Sequence, residues 1–211
     1  MKNLEPIADT IRSEMEAIHS AREVTLKRSR ELIRICAKAI RSMHREEWED
    51  SLTQLATAEA AAKTMIDGVK DYPNLYYTGY TQDSLKEYVE ARLAYAFLRS
   101  EPFPDHKELG VECSTWLNGA AEAATELRRR ILDIIRHGHA DEAERLLGVM
   151  DEVYSILVTF DFSDSITGGL RRRTDTVRAV LERTRGDVTT SLRQSQLENT
   201  LKSLEHQLKQ S

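Results

Sequence analysis

Apolar residues recur along most of the chain at intervals of three and four, which is the spacing of one face of an α-helix. The pattern is clear near the N-terminus, where it predicts one helix that continues to about Met43. The first apolar positions of this helix are Ile7, Ile11, Met15 and Ile18. Only four prolines and nine glycines occur in 211 residues, so long stretches lack any helix breaker. The chain is therefore predicted to be an all-α protein.

Prolines, glycines and short polar stretches divide the chain into seven predicted helices, and no stretch has the pattern of a strand. After the first helix, the next five cover about residues 46–71, 81 or 84 to 99, 105–137, 141–159 and 165–185, and the last follows residues 186–187 and carries the leucines at 197–208. Gly138 is expected to end the fourth of the seven, and Gly186 and Asp187 are expected to separate the last two. We expect residues 1–211 to form a single helical domain with long antiparallel helices.

The last predicted helix carries a second apolar pattern. Its leucines follow one another at steps of four, three and four, which is typical of a short coiled-coil seam. They are Leu197, Leu201, Leu204 and Leu208. One domain has no evident internal need for this seam, so it predicts a homo-oligomer, for which closed symmetry is the usual outcome.

Composition limits the classes of partner and compartment. Lys and Arg number 30 against 35 Asp and Glu, so the formal net charge is −5 and any nucleic-acid surface must be local. No apolar run has the length of a signal peptide or of a membrane span, so we expect a soluble, cytoplasmic protein that does not bind a membrane. Cys36 and Cys113 show no metal-binding or disulfide spacing and are expected to be reduced thiols.

Four glutamates in two close pairs carry the candidate chemistry: Glu87 with Glu90, and Glu122 with Glu126. Spacings of three and four place the two carboxylates of each pair on one helix face, where like charges repel. Phe97 continues the face of the first pair, which indicates that these carboxylates point inward or into a cleft. Clustered carboxylates away from water need a cation or a shared proton, and hard oxygen ligands suit Mg²⁺ or Mn²⁺. The alternative is that all four are surface residues of charged helices.

A basic stripe follows one face of the first predicted helix at steps of three, four, four and three. It consists of Lys27, Arg30, Arg34, Lys38 and Arg41, and Arg22 adds charge nearby. A line of cations matches a phosphate backbone without reading bases, so the stripe predicts contact with RNA or single-stranded DNA. The alternative is a solvated face that Glu23 and Glu31 balance.

Four segments together resemble the translin family, and within it the archaeal kind of translin-associated factor X, or Trax. They are the basic residues 21–34, residues 88–91 (Tyr-Val-Glu-Ala), residues 117–129 (Leu-Asn-Gly-Ala-Ala-Glu-Ala-Ala-Thr-Glu-Leu-Arg-Arg) and residues 160–189. Their order and spacing cover nearly the whole chain. The resemblance implies a seven-helix fold, closed assemblies of about eight subunits, and RNA or single-stranded DNA bound on the inner surface.

The resemblance also implies an activity. Trax-type subunits are metal-dependent endoribonucleases, and their catalytic and metal-binding carboxylates fall on the positions of Glu87, Glu90, Glu122 and Glu126. Translin-type subunits keep the fold but lack part of this set, so four acidic residues favour the Trax side. One position departs from the family, because Trax commonly has aspartate where this chain has Glu122.

Two further functions stay open at the level of the sequence. One is a non-catalytic oligomer that binds RNA or single-stranded DNA, as translin does. The other is a helical scaffold whose basic stripe meets an acidic protein partner. Cleavage of RNA with Mg²⁺ separates the enzyme from the first of these, and salt-dependent binding of nucleic acid separates the first from the second.

Overall fold

The computed structural model describes residues 4–137 and 140–210, and these residues are helical with short connections. The all-α prediction is confirmed. Eight helices occur in the described ranges. They are α1 (Leu4–His44), α2 (Trp48–Val69), α3 (Pro73–Tyr76), α4 (Gly79–Arg99), α5 (Cys113–Ile135), α6 (Ala140–Leu157), α7 (Asp164–Thr167) and α8 (Leu170–Gln210).

The chain divides into two compact units. The first unit contains Met1–Arg92 and Pro104–Trp116, and the second contains Leu93–Phe103 and Leu117–Ser211. The boundaries fall inside α4 and α5, so each of these helices passes without a break from one unit into the other. The prediction of a single domain over residues 1–211 stays a prediction.

In the first unit, α1 and α2 form an antiparallel pair. Ser42 donates a hydrogen bond to Asp50 near the connection, and Arg28 donates to the Thr64 carbonyl oxygen at 3.2 Å further along the pair. The second half of α1 buries an apolar face against its neighbours, while its first half, from Leu4 to Ile18, exposes its apolar residues. The apolar face of α1 therefore packs against other helices of this chain only in the second half of the helix.

In the second unit, α8 runs parallel to α5 and antiparallel to α6. Contacts from α5 advance along α8, since Glu122 pairs with Arg173 and Arg128 pairs with Asp187 at 2.8 Å. On the α6 side, Arg185 binds Asp151 at 2.7 Å, whereas Leu157, later on α6, lines one cavity with Thr174, earlier on α8. The leucine seam of residues 197–208 is exposed at the end of α8.

Three details of the predicted helices differ from the structure. Helix α8 continues through Gly186, because a glycine costs a helix only about 1 kcal/mol relative to alanine, and contacts with α5 flank it. Helix α5 begins at Cys113 rather than near residue 105, because the Asp105 carboxylate accepts hydrogen bonds from the Lys107 and Glu108 amides and closes a turn. The last two predicted helices form the single helix α8, which lowers the count to six, and the short helices α3 and α7 raise it to eight in the described ranges. Helix α3 lies in a stretch predicted as a loop, and α7 is the start of the sixth predicted helix, cut off by the positive φ of Gly168 and Gly169.

Two other expectations concern ends and membranes. The helix end predicted at Gly138 lies outside the described residues. None of the helices in residues 4–137 and 140–210 combines the length and the apolar character that crossing a bilayer requires.

Candidate metal centre and basic stripe

Three of the four predicted glutamates come together. Glu87 and Glu90 lie one turn apart on α4, and Glu122 lies on α5. One carboxylate oxygen from each lies within 4.8 Å of the others. We call these three residues the glutamate cluster. Glu126 is half-buried one turn further along α5 and is not a member of this group.

The members of the cluster differ in burial. Glu90 is 8% exposed, whereas the side chains of Glu87 and Glu122 are 30% and 28% exposed. The prediction that the face of Glu87 and Glu90 looks away from bulk water thus describes Glu90 well and Glu87 in part. A cluster with one buried and two half-buried carboxylates is shielded from solvent yet open to a small ligand.

Helix α1 passes close to the two α4 glutamates. The Cys36 thiol is fully buried there, and burial together with the negative charges of Glu87 and Glu90 raises its pKa to about 12. The thiol is therefore protonated at neutral pH. Cys36 marks the side of α1 that faces the carboxylates.

A lysine beside the cluster offsets part of its charge. Lys86 is buried, and its Nζ lies 3.3 Å from Oε1 of Glu87. This ion pair neutralises part of the charge of Glu87.

Glu122 has an ion-pair partner 51 residues away in sequence. Arg173, on α8, donates from Nε to Oε1 of Glu122 at 3.0 Å. Its Nη1 donates to Oδ1 of Asn118 at 3.1 Å and to the Gly168 carbonyl oxygen at 3.3 Å. Sequence reasoning missed this residue. The only available signal was the run of three arginines at 171–173, which helical spacing could not connect to α5.

The donor chemistry of the cluster fits a hard divalent cation. Three carboxylates supply oxygen ligands of the kind that Mg²⁺, Mn²⁺ and Ca²⁺ prefer, and among the described residues the group contains no cysteine or histidine. The oxygens are close enough for one small ion to contact all three. The cluster could therefore hold a metal ion.

The basic stripe of α1 is on the surface. Lys27, Arg30, Arg34, Lys38 and Arg41 are all exposed. Arg34 forms a local ion pair, because its Nε donates to Glu31 at 2.9 Å, and this bond is the main reason that the pKa of Glu31 is lowered. Arg22 is also exposed and binds the neighbouring Glu23 at 2.6 Å. The balancing glutamates expected from the sequence thus neutralise part of the basic surface.

Within the first unit, the stripe and the α4 glutamates lie on opposite sides of α1. With 3.6 residues per turn, Lys27, Arg34 and Lys38 lie about 160–180° around the helix axis from Cys36. Since Cys36 faces Glu87 and Glu90, the centre of the stripe points away from both. A strand of nucleic acid lying along the stripe does not pass over these two carboxylates of the same chain.

Comparison with known proteins gives matches over most of the chain. An uncharacterized protein of Methanocaldococcus jannaschii is 30% identical over 192 residues, which is 90% of this chain and 85% of that protein. No family model matches the chain.

Solved structures with the same fold are archaeal and fungal forms of C3PO, the translin–Trax assembly. AfC3PO, solved in complex with duplex RNA, is 31% identical, has a TM-score of 0.82, and aligns over 87% of this chain and 95% of its own. A second AfC3PO structure gives the same TM-score and identity over 87% of this chain and 96% of its own. Apo-NeC3PO is 24% identical with a TM-score of 0.79, over 88% of this chain and 97% of its own, and supports the fold alone.

Proposed function

Because the chain belongs to the translin family, we propose that it binds RNA and cleaves it with a divalent metal ion. The substrate is RNA, and the reaction is endonucleolytic hydrolysis of a phosphodiester bond. The observation that carries the proposal is the approach of Glu87, Glu90 and Glu122 to within 4.8 Å of one another. AfC3PO, 31% identical to this chain, has been solved with duplex RNA, which supports RNA as the ligand.

Each residue of the cluster has a role in this proposal. Glu87, Glu90 and Glu122 bind Mg²⁺ or Mn²⁺, and Glu126, one turn beyond Glu122, supports the site or accepts a proton from the attacking water. A bound divalent ion polarises a phosphoryl oxygen and lowers the pKa of water. Lys86 keeps the carboxylates from repelling one another before the ion arrives.

The basic stripe supplies affinity without sequence specificity. Lys27, Arg30, Lys38 and Arg41 form no ion pair within the described residues, so they remain available to phosphates. Arg34 exchanges its bond to Glu31 for a phosphate, and Arg22 extends the surface toward the N-terminus. Phosphate contacts carry no base information, so sequence preference should be low.

The protein is further proposed to act as a closed homo-oligomer, of about eight subunits. Apolar residues are exposed along the first half of α1 and along the end of α8. Contiguous exposed apolar stripes of this length mark protein interfaces. The basic stripe faces away from the α4 glutamates of its own chain. In an oligomer, the basic stripe of one copy would therefore bind RNA that reaches the glutamate cluster of another copy.

Light scattering tests the oligomer. We expect a single species of about eight chains at micromolar concentration. The change Ile11→Glu, among the exposed apolar residues in the first half of α1, should reduce this species to smaller ones. Thr10→Glu provides the control, since it adds the same charge at a neighbouring exposed position outside the apolar stripe. A monomer at every concentration would contradict the proposal.

Cleavage of labelled single-stranded and duplex RNA tests the activity. We expect products with Mn²⁺ or Mg²⁺, none with chelator, and far slower cleavage by Glu90→Gln in either metal. Glu49→Gln, which alters an exposed glutamate on α2, should cleave as the parent does. A parent that never cuts RNA in either metal would exclude the enzyme.

One observation favours a second candidate, a non-catalytic oligomer that binds RNA or single-stranded DNA. Glu122 already has Arg173 as a counter-ion, and Glu87 has Lys86, so the cluster has basic partners without any metal. In that case the glutamates form a structural ion-pair network. Salt-dependent RNA binding without cleavage would identify this function.

A further inference from the structure

Arg173 is fixed by three acceptors that belong to the second unit. Its Nε donates to Glu122, and its Nη1 is shared between Asn118 and the Gly168 carbonyl oxygen. The Arg173 side chain is 24% exposed, so it is more shielded than the arginines at positions 171 and 172. A guanidinium held at three points has little freedom to leave Glu122.

The acceptors are themselves held in place. Asn118 is buried, and its Nδ2 donates to the Thr167 carbonyl oxygen at 2.7 Å, which orients its Oδ1 toward Arg173. Gly168 ends α7 in a left-handed conformation with φ of 63°, which favours glycine. Its amide donates to the Asp164 carbonyl oxygen at 2.8 Å, which closes the turn. The end of α7 thus presents a carbonyl oxygen to Arg173 for a structural reason.

We propose that Arg173 is a positioning residue for Glu122, which it holds in one orientation within the glutamate cluster. This inference rests on the proposed metal site. Arg173 binds Oε1 of Glu122 and so restricts the orientation of the carboxylate. The orientation in turn sets the direction in which the second oxygen can face a metal ion. Groups that bind metal-ligating carboxylates from outside typically contribute about 10–100-fold to metal affinity.

This role accounts for a glutamate at position 122. A glutamate has one more rotatable bond than an aspartate, and freezing it costs conformational entropy. The hydrogen bond from Arg173 restricts the Glu122 side chain to one conformation before a metal binds. The longer side chain can then reach the α4 carboxylates in a defined direction.

The opposite effect is expected if Arg173 acts only as a counter-ion. Removing the positive charge of Arg173 would then strengthen binding of a cation, because the three carboxylates would keep more of their negative charge. Positioning and simple charge compensation therefore predict changes of opposite sign in metal affinity.

Binding of Mn²⁺, followed by electron paramagnetic resonance and calorimetry without RNA, tests the proposal on the full-length protein. We expect Arg173→Met to weaken Mn²⁺ binding about 10–100-fold. Arg173→Lys should recover only part of the loss, because an ammonium cannot reproduce the planar fork. Arg172→Met, which removes an exposed neighbouring arginine, should bind as the parent does.

A double-mutant cycle adds a readout that a general loss of stability would not move. In the Glu122→Gln background, Arg173→Met should have little further effect on Mn²⁺ affinity, since its target is already lost. Circular dichroism checks that each variant folds. If Arg173→Met does not fold, Arg173→Lys replaces it in the double-mutant cycle. Unchanged or tighter Mn²⁺ binding by Arg173→Met, full recovery by lysine, or an equal effect in both backgrounds would overturn the proposal. Absence of Mn²⁺ binding by the parent would overturn the proposed metal site itself, and the role of Arg173 with it.

Discussion

The glutamate cluster and the basic stripe differ in how the fold treats their charges. Both were found from side chains spaced three or four residues apart on a helix. The glutamates of the cluster are buried or half-buried, and two of them have ion pairs with Lys86 and Arg173. The stripe is exposed, and its one ion pair, between Arg34 and Glu31, is local.

The difference shows what holds like charges together in a protein. On the surface, water and salt screen a row of cations, and its members need no partner. Where water is reduced, each carboxylate must find a cation or a proton, and the fold supplies cations from other positions. The difference agrees with the roles proposed above, an ion held by the cluster and a reversible, salt-sensitive contact of the stripe with a polyanion.

The largest expected effect is on cleavage by Glu90→Gln. The amide keeps the shape of the side chain but removes the charge that a hard metal ion requires. We expect the single-turnover rate to fall roughly 10²–10³-fold, as for loss of one electrostatic contact to a transition state, while RNA affinity stays unchanged. Glu126→Gln should cost less, because Glu126 is not in the group of three. Parental rates in both variants would exclude the cluster as the active site.

A mixing experiment tests whether stripe and cluster work on different chains. Co-expressed Glu90→Gln subunits and subunits with Arg30, Arg34 and Lys38 changed to glutamate should cleave dilute RNA faster than either variant alone. Each variant would supply what the other lacks, because the stripe of a chain faces away from Glu87 and Glu90 of that chain. If mixed oligomers are as inactive as the separate variants, RNA must reach both features on one chain.

The third effect is stabilisation by metal. A ligand that binds only the folded state at about 100 times its Kd adds about 2.7 kcal/mol to the unfolding free energy. We expect Mn²⁺ to stabilise the parent and Glu49→Gln by this amount and Glu90→Gln by much less, in denaturant titrations. An equal response of all three proteins would mean that the ion binds elsewhere.

The stripe should show a smaller effect that depends on salt. Changing Arg30, Arg34 and Lys38 to alanine removes three phosphate contacts, and each contact lowers the slope of log affinity against log salt by roughly 0.7 for a single strand. Fluorescence anisotropy with labelled RNA at several salt concentrations measures this slope. Replacing Lys202 and Lys209 near the end of α8 provides a control, and an unchanged slope for the triple variant would assign the stripe to solvent or to a subunit contact.

The smallest effect separates two arginines of the stripe. Arg34 must give up its bond to Glu31 before it binds a phosphate, whereas Arg30 forms no ion pair within the described residues. Arg30→Ala should therefore weaken RNA binding more than Arg34→Ala, by up to about 1 kcal/mol, which is the upper range for exposed ion pairs. In a Glu31→Gln background, where the competing carboxylate is absent, Arg30→Ala and Arg34→Ala should weaken RNA binding by similar amounts. A greater loss from Arg34→Ala in the parent would show that the bond to Glu31 does not limit binding of phosphate by Arg34.

Local periodicity in the sequence was sufficient for the helices and for the faces of single helices. The pattern of apolar residues predicts α1, α2, α4 and α6 to within a few residues, and the spacing of Glu87 and Glu90 places both on one side of α4. These features depend on contacts within about one turn, which the order of residues along the chain specifies directly.

Tertiary structure decided which of these faces meet. It brought Glu122 to the α4 glutamates, left Glu126 outside the group, and supplied Arg173 from 51 residues away. It also carried α8 past Gly186, where Asp187 binds Arg128 of α5. Such contacts depend on how helices pack and rotate about their axes, and the spacing of residues within one helix carries no information about the helix that will lie against it.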